Sequence, residues 1–326
     1  MKIVVGDRNL LPHRELFECG LPSGASVSWH QRFDEPLIVA DLADADVYVG
    51  GRFTAAMAAA APKLRLVHVA GAGTDKVDFD ALSADTVVAN TFHHEDSIAE
   101  YIVSAAVLLR RGLLDQDRAL RGDRWASSVY DDAIPQPASM HDARIGFVGF
   151  GHIGRRSWNL LRAFGSSGCA VTGRGGVDAG AEGLVWAGGH SSLLRLMFES
   201  DIVVVSAPLN SATRGMIGTA ELAALGAGGV VINVGRGPLI REQALYDALA
   251  TGVIASAAVD VWYADPDPNG RGAPAAHPFR ELRNLLMTPH SSGVTRHTFV
   301  GRVRDITDNI RRLDAGQTVL RTVRPG

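Results

Sequence analysis

Arg144–Gly165 reads RIGFVGFGHIGRRSWNLLRAFG, and this stretch decides the fold. The run Ile145-Gly146-Phe147-Val148 is short and apolar, the mark of a buried strand. Gly149-Phe150-Gly151-His152-Ile153-Gly154 follows as a G-x-G-x-x-G loop. Leu160, Leu161 and Phe164 then share one face of a helix that Gly165 ends. Strand, glycine turn and helix in this order form a dinucleotide-binding fingerprint. The first glycine makes the turn, the second lets a pyrophosphate approach the backbone, and the third lets helix and strand pack. The free N–H groups of the helix N-terminus face the phosphates. With 36 glycines in the chain, such a loop alone is a weak signal; the strand before it and the helix after it give it weight.

Further strands follow at Cys169–Thr172, Asp201–Val205, Gly229–Val234, Ala255–Val261 and Leu285–Thr288, with helices at Ser191–Phe198 and Glu242–Ala250. The loops at their carboxyl ends carry the polar chemistry. They are Ser206-Ala207-Pro208-Leu209, Asn233-Val234-Gly235-Arg236-Gly237, Asp260-Val261-Trp262 with Asp265 beyond, and Pro289-His290-Ser291-Ser292-Gly293. Ligands of open α/β sheets gather outside the carboxyl ends of the strands. Arg236, Asp260, Asp265 and His290 are therefore expected to converge on the nicotinamide end of a bound dinucleotide. A lone histidine at a strand end is more often structural. An arginine, an acid and a histidine on successive strand ends are harder to dismiss. The strand after the fingerprint helix ends in Gly173-Arg174-Gly175-Gly176. An NAD site usually has an acid there for the ribose 2′-OH. Arg174 is instead placed to pair with a 2′-phosphate, which favours NADP over NAD, although a solvated surface arginine is the plain alternative.

The first third alternates strand and helix signals and reads as a second small α/β domain with a parallel sheet. Its strands are Lys2–Val5, Val27–Trp29, Asp46–Val49 and Leu66–Val69, and Ala55–Ala61 is a helix stopped by Pro62. Leu66–Val69 runs into Ala70-Gly71-Ala72-Gly73-Thr74-Asp75. Backbone N–H groups of that loop suit a carboxylate, and a tight turn is the simpler alternative. Ser97 caps a long apolar helix to Leu109 that crosses into the dinucleotide domain. The more polar stretch Arg110–Pro137 contains Trp125, which packs either within the domain or against a second subunit.

A length of 326 residues suits two domains, and 46% hydrophobic with 21% charged residues marks a globular chain. A net charge of −3 offers no basic field for nucleic acid. Two cysteines, Cys19 and Cys169, cannot make a disulfide framework and fit a reducing cytoplasm. The N-terminus has only a four-residue apolar run, not a signal peptide. No apolar run nears the roughly 20 residues of a membrane span. The 11 histidines show no metal-binding spacing, so no metal site is expected.

Taken together, Gly71-Ala72-Gly73-Thr74-Asp75, Gly149–Gly154, Asn233–Gly237, Asp260-Val261-Trp262 and Thr288-Pro289-His290 resemble the D-isomer-specific 2-hydroxyacid dehydrogenases. Glyoxylate/hydroxypyruvate reductases, phosphoglycerate dehydrogenases and formate dehydrogenase belong to that family. The resemblance covers nearly the whole chain. It implies two Rossmann-like, doubly wound parallel-sheet α/β domains, with a substrate domain split into residues 1–97 and 293–326 and a dinucleotide-binding domain at 98–292 inserted at a hinge cleft. It implies a homodimer, with Leu108–Trp125 part of the interface. By the resemblance, Arg236 holds the substrate carboxylate and keto oxygen, and the backbone of Ala72 and Gly73 holds the carboxylate's other side. His290 is the acid–base, Asp265 pairs with it, and Asp260 faces the nicotinamide amide. Cofactor contacts are implied for Gly149, Gly151, His152, Ile153, Gly154, Arg174, Pro208, Thr213, Val234, Asp260, His290 and Gly293. The chemistry is consistent with this. A ketone that receives a hydride needs a proton, and a histidine poised near neutrality supplies one.

Three positions depart from the family pattern. Asp265 is one methylene shorter than the usual glutamate, Trp158 stands where a small residue is common, and residues 265–278 form a long Pro- and Gly-rich insertion. Asp-Val-Trp and His-Pro-Phe are similar to formate dehydrogenase. However, His93, His94 and Glu95 occupy the place of that enzyme's asparagine, which argues against formate. His93 and His94 either line the substrate side or are solvated. The expected activity is NAD(P)-dependent reduction of a small 2-keto acid such as glyoxylate or hydroxypyruvate. Two alternatives stay open: the same fold acting on another small anion such as phosphite, and a nucleotide-sensing interaction protein without turnover.

Overall fold

The structure is a computed structural model that describes residues 1–173, 175–267 and 269–324. In chain order its main elements are β1 (Lys2–Val5), α1 (Arg14–Cys19), β2 (Ser26–Trp29), α2 (Glu35–Leu42), β3 (Val47–Val49), α3 (Ala55–Ala59), β4 (Leu66–His68) and β5 (Val87–Ala89). Then come α4 (Glu95–Arg110), α5 (Leu113–Leu120), β6 (Arg144–Val148), α6 (His152–Leu161), β7 (Ser167–Val171), α7 (Ala179–Glu182), β8 (Trp186–Gly188), α8 (Leu193–Glu199) and β9 (Ile202–Val205). The last are α9 (Thr219–Leu225), β10 (Val230–Asn233), α10 (Glu242–Ala250), β11 (Ser256–Val259), β12 (Leu285–Met287), α11 (Arg296–Asp314) and β13 (Thr322–Arg324). The chain divides into two units, Met1–His93 with Val294–Gly326, and His94–Gly293.

The first unit holds a six-stranded sheet in the order β13-β5-β4-β3-β1-β2. All its pairs are parallel except β13 on β5. That antiparallel edge strand follows α11 and lies outside the parallel sheet expected for the first third. Alternate side chains of each strand go to opposite faces. Ile3, Val5, Val47 and Val49 pack with Phe299, Val303, Ile306 and Ile310 of α11 on one face. Val4, Tyr48 and Val67 pack with Ile38, Leu42 and Met57 of α2 and α3 on the other.

The second unit is a seven-stranded, all-parallel sheet ordered β12-β11-β10-β9-β6-β7-β8. The order reverses between β6 and β9, so the switch point lies where the fingerprint strand ends. One face buries Ile145, Phe147, Val204 and Ile232 with Ile102 of α4 and Trp158 of α6. The other buries Val148, Val203, Val205 and Val231 among residues of α8, α9 and α10 such as Leu196, Leu222 and Leu245. Two sequence expectations change here. Ser97 is not a cap: α4 begins at Glu95, and Ser97 lies buried inside it. Glu95 and Asp96 place negative charge on the first turn, where the helix dipole favours it, and this starts the helix early. Trp158, the unexpected bulk in α6, is only 2% exposed. It fits because Gly168 on β7 leaves room: a Cβ there would stand 2.8 Å from Trp158 Cζ3. Its indole Nε1 donates to the Glu182 carbonyl at 2.8 Å.

Candidate active site

The three fingerprint glycines have three different surroundings. Gly149 has φ +93°, and a Cβ on it would lie 2.6 Å from the Ala207 amide nitrogen. The turn after β6 is thus pressed directly on the turn after β9, at the switch point. Ser206 Oγ donates to the Gly149 carbonyl at 3.0 Å and closes the contact. Gly154 sits under the turn, with 2.8 Å between an ideal Cβ and the Gly149 oxygen. Gly151 alone faces open space, with nothing within 4 Å of a built Cβ. It is the N-cap of α6 and provides no side-chain cap. The first helical bond runs from Arg155 N to Gly151 O, so the amides of His152, Ile153 and Gly154 precede the helical ladder. A backbone cradle that a single methyl would fill, beside a helix N-terminus, fits a pyrophosphate.

Beyond β7 the chain turns at once: Gly175 N donates to Thr172 O at 3.2 Å and to Thr172 Oγ1 at 3.1 Å. Arg174, the residue singled out for a 2′-phosphate, lies outside the described residues. The first acid after the strand, Asp178, is engaged elsewhere and caps α7 by accepting from Ala181 N at 3.1 Å. Pro208 and Thr213 belong to one loop after β9. Thr213 Oγ1 donates to the Pro208 carbonyl at 2.7 Å and accepts from Asn210 N at 2.8 Å.

Arg236 follows β10 in an extended conformation. Asn233, 1% exposed at the strand end, shapes its approach. Its Oδ1 accepts from Gly235 N at 3.2 Å, and its Nδ2 donates to Arg236 O at 3.1 Å. Val234 N is held by Val205 O at 3.0 Å. Gly237 is obligatory, because a Cβ would meet the Trp262 carbonyl oxygen at 2.3 Å. The β10 and β11 turns are therefore in direct backbone contact.

His290 lies just past β12, exposed, with a left-handed backbone at φ +56°. Asp260, just past β11, is fully buried. Its Oδ1 accepts from Thr288 Oγ1 at 2.6 Å and Ser291 N at 2.9 Å. Its Oδ2 accepts from Ser292 N at 3.0 Å and Ser292 Oγ at 2.5 Å. Trp262 Nε1 adds a bond to the Thr288 carbonyl at 2.8 Å. On the α4 side the Tyr101 hydroxyl lies 3.0 Å from Thr288 Oγ1, and burial pushes this phenol up to about 12. Gly293 packs on the same helix, with an ideal Cβ 3.2 Å from His94 Cβ. Sequence reasoning gave no individual role to Asn233, Thr288, Ser291 and Ser292, which lie in the motifs it singled out, and it missed Tyr101.

Asp265 is exposed and begins the Pro- and Gly-rich excursion. The excursion is anchored at both ends. Tyr263 N and Ala264 N donate to the Pro274 carbonyl at 3.1 and 2.9 Å. Phe279, 1% exposed, has its ring against Tyr246, Trp262 and Tyr263. Asp265 and His290 thus ride on the ends of adjacent strands.

In the first unit, the loop after β4 has its carbonyls tied down. Thr91 N donates to Gly71 O at 3.2 Å, and Asn90 Nδ2 donates to Ala72 O at 2.9 Å. Among the described residues the Ala72 and Gly73 amides have no acceptor. His93 is not a solvated loop residue. Its Nε2 lies 2.8 Å from Asp305 Oδ2, a carboxylate that also binds Thr91 Oγ1 at 2.6 Å and pairs with Arg321. Among the described residues no group of three His, Cys, Asp or Glu is arranged to hold a metal ion. None of their helices is long and apolar enough to cross a membrane.

A glycine cradle at the switch point, with an arginine and a histidine on the strand ends beside it, defines a dinucleotide-dependent oxidoreductase architecture. Comparison with known proteins makes the class specific. The model of the D-isomer specific 2-hydroxyacid dehydrogenase NAD binding domain matches residues 103–292, and the chain belongs to that family. Mitochondrial formate dehydrogenase of Solanum tuberosum is 32% identical over 242 residues, which are 72% of this chain. The chain spans only 60% of that enzyme's length. Glyoxylate/hydroxypyruvate reductase B of Yersinia pestis is 27% identical over 287 residues, covering 85% of this chain and 83% of the relative. Among solved structures, the NADPH-dependent glyoxylate/hydroxypyruvate reductase of Sinorhizobium meliloti, in complex with NADP and malonate, superposes with a TM-score of 0.79. It has 28% identity and covers 99% of this chain and 96% of that one.

Proposed function

We propose that the chain is an NAD(P)-dependent reductase of a small 2-keto acid, of the glyoxylate or hydroxypyruvate type. The observation that carries this reading is the placement of Arg236 and His290 on the ends of β10 and β12. Those strands lie in the half of the sheet beyond the switch point, while the glycine cradle marks the switch itself. When bound, the nicotinamide supplies the hydride. His290 donates a proton to the carbonyl oxygen, so that charge does not build up there as an alkoxide. Asp265 stabilises the imidazolium form. Arg236 grips the substrate carboxylate through its guanidinium fork, and in the first unit the Ala72 and Gly73 amides suit a carboxylate. The family position for the nicotinamide amide is Asp260. His152, Ile153, Pro208, Thr213, Val234 and Gly293 complete the cofactor contacts.

NADP is the preferred cofactor in this reading. Residues 172–177 contain no acid to repel a 2′-phosphate and include Arg174, and the first acid after them, Asp178, caps α7. The similar S. meliloti enzyme is NADPH-dependent. Two unpaired cysteines fit a reducing cytoplasm. A homodimer formed through the α4–α5 region and its continuation accounts for Leu120, Trp125, Val129 and Tyr130, all at least half exposed.

The deciding experiment follows reduced-nicotinamide absorbance with glyoxylate, hydroxypyruvate and related 2-keto acids, with NADPH and NADH in parallel. Turnover that is faster with NADPH is expected. In Arg174→Ala, loss of charge-assisted hydrogen bonds should lower the NADPH:NADH ratio of kcat/KM by roughly 10- to 100-fold. Tight nucleotide binding without turnover of any acid would return the chain to the sensing alternative. Faster turnover with NADH would keep the enzyme and remove the role of Arg174.

A further inference from the structure

We propose that Glu242 is a positioning residue for Asp265. Its carboxylate clamps the return limb of the Pro- and Gly-rich excursion and so sets how far that short acid reaches. The role rests on the reading of Asp265 and His290 as the acid–base pair. The excursion leaves β11 as an outgoing limb that carries Asp265, turns at its tip and comes back to Phe279. Asp267 makes the turn: its N donates to Arg271 O at 2.7 Å, and its Oδ1 accepts from Asn269 N and Arg271 N, both at 2.8 Å. Below the turn the limbs lie side by side. A Cβ on Gly272 would stand 3.8 Å from Pro266 Cα, and Tyr263 N and Ala264 N meet the Pro274 carbonyl. Where the return limb goes, the acid follows.

The hairpin stands out in solvent: residues 264–267 and 269–273 are exposed. Its direction is therefore set at its base, where Ala275 and Phe279 are buried. Between them Glu242 Oε1 accepts from two consecutive amides, Ala276 N at 2.6 Å and His277 N at 2.9 Å. Hydrogen bonds from amides to a carboxylate are charge-assisted and stronger than neutral ones. Glu242 is the first residue of α10, and Ala244, Leu245, Ala248 and Leu249 root that helix in the core. One turn further along α10, Tyr246 stacks on the His277 ring at 5.1 Å and holds the same limb from the side. Tyr263 begins the outgoing limb. Burial raises its phenol, and the Glu242 charge raises it further, so Glu242 stands close to the root of both limbs. A short side chain has little freedom to correct a misplaced backbone. The hairpin must deliver Asp265 accurately, because displacement by about 1 Å can cost about 100-fold in rate.

Glu242→Ala and Glu242→Gln test the assignment. Alanine removes both bonds, whereas glutamine keeps an acceptor oxygen on the same stem. Asp265 favours the imidazolium, so releasing it lowers the pH at which His290 gives up the proton that keto-acid reduction needs. In Glu242→Ala the alkaline limb of kcat/KM for reduction should move down by about one pH unit, with an NADPH Kd within about threefold of the wild type. Deuterium uptake at the Ala276 and His277 amides should quicken. Glu242→Gln should restore the wild-type limb. Asp265→Asn should move the limb in the same direction, and adding Glu242→Ala to it should move it no further, because both act through one carboxylate. A limb that stays in place in Glu242→Ala, or shifts that add in the double variant, would overturn the proposal. An equal shift in Glu242→Gln would overturn it too, since Glu242 would then act by its charge. If Glu242→Ala does not fold, Glu242→Asp keeps the charge, draws the limb back by one methylene and carries the same comparison. If the wild-type protein turns over no keto acid, the proposed function fails. An NMR titration of His290 in the wild type, Glu242→Ala and Glu242→Gln then still decides whether Glu242 positions its partner.

Discussion

His68 and Asn309, 241 positions apart in the chain, share a hydrogen bond of 3.0 Å in the core of the first unit. His68 Nδ1 lies 3.2 Å from the Val69 carbonyl and donates to it, which leaves Nε2 to accept from Asn309 Nδ2. Asn309 in turn accepts from Leu320 N and donates to Leu320 O. The imidazole is neutral, and burial pushes it down from 6.5 to about 4. Between those values the unfolded chain binds a proton that the folded one refuses. The stabilisation is therefore complete above pH 6.5 and lost as the pH falls towards 4, by about 3 kcal/mol. Denaturant titrations of the wild type and His68→Gln at pH 7 and pH 4.5 should show the wild type losing more stability than the variant. Parallel losses would remove His68 as the cause.

The glycine cradle predicts two substitutions with opposite effects. Gly149→Ala forces a side chain into φ +93° and against the Ala207 backbone, so it should lower folding stability by about 1–3 kcal/mol. Gly151→Ala meets no protein atom at an ordinary φ of −87°, so the melting temperature should hold. Its methyl would stand where the pyrophosphate approaches, and Kd for the dinucleotide should rise about tenfold or more. Calorimetry and fluorescence titration of the two proteins separate the effects. A destabilised Gly151→Ala protein would show that the cradle is packed.

His290→Ala should reduce kcat by about 10²–10⁴ while nucleotide still binds, because general acid catalysis has that weight. Arg236→Lys keeps the charge but loses the bidentate fork, so keto-acid KM should rise steeply. Steady-state kinetics with independent nucleotide titration make the distinction. Wild-type-like turnover without His290 would exclude the mechanism.

Trp158 is packed as a core residue, against Phe147 in an edge-on contact at 6.1 Å and above the bare backbone of Gly168. Trp158→Ala should cost about 3–5 kcal/mol of stability. Gly168→Ala should be destabilising in the wild type and better tolerated once the indole is gone. A double-mutant cycle by urea unfolding reads that coupling.

The second unit was the more legible in sequence. Glu242–Ala250 matches the predicted helix, and each strand expected from Cys169 onward occurs within a few residues of its expected place. Buried parallel strands are continuous apolar runs, and their ends are marked by glycines. Val87–Ala89 and Trp186–Gly188 were missed: Val-Val-Ala and Trp-Ala-Gly hold at most two large apolar residues in a row, too few to stand out as an apolar run. The early start of α4 depended on the charge of Glu95 and Asp96 against the helix dipole, which a search for a serine cap overlooks. In the site, Arg236 and His290 could be singled out by residue type and strand-end position. The partners of Asp260 could not, because its donors lie 28 to 32 positions further on and include two backbone amides. The same limit hid Asp305, whose tie to His93 spans 212 positions.

The pairing of α11 with the first sheet also sets an order of assembly. Ile3, Val5 and Phe17 share their core cluster with Phe299, Val303 and Ile306. A chain emerging from the ribosome reaches Gly293 with every strand of the second unit already made, while one face of the first sheet still lacks the side chains of α11. Completion of the first unit must wait for α11, so a stall shortly before it would leave a finished nucleotide fold tethered to a partly covered, aggregation-prone sheet.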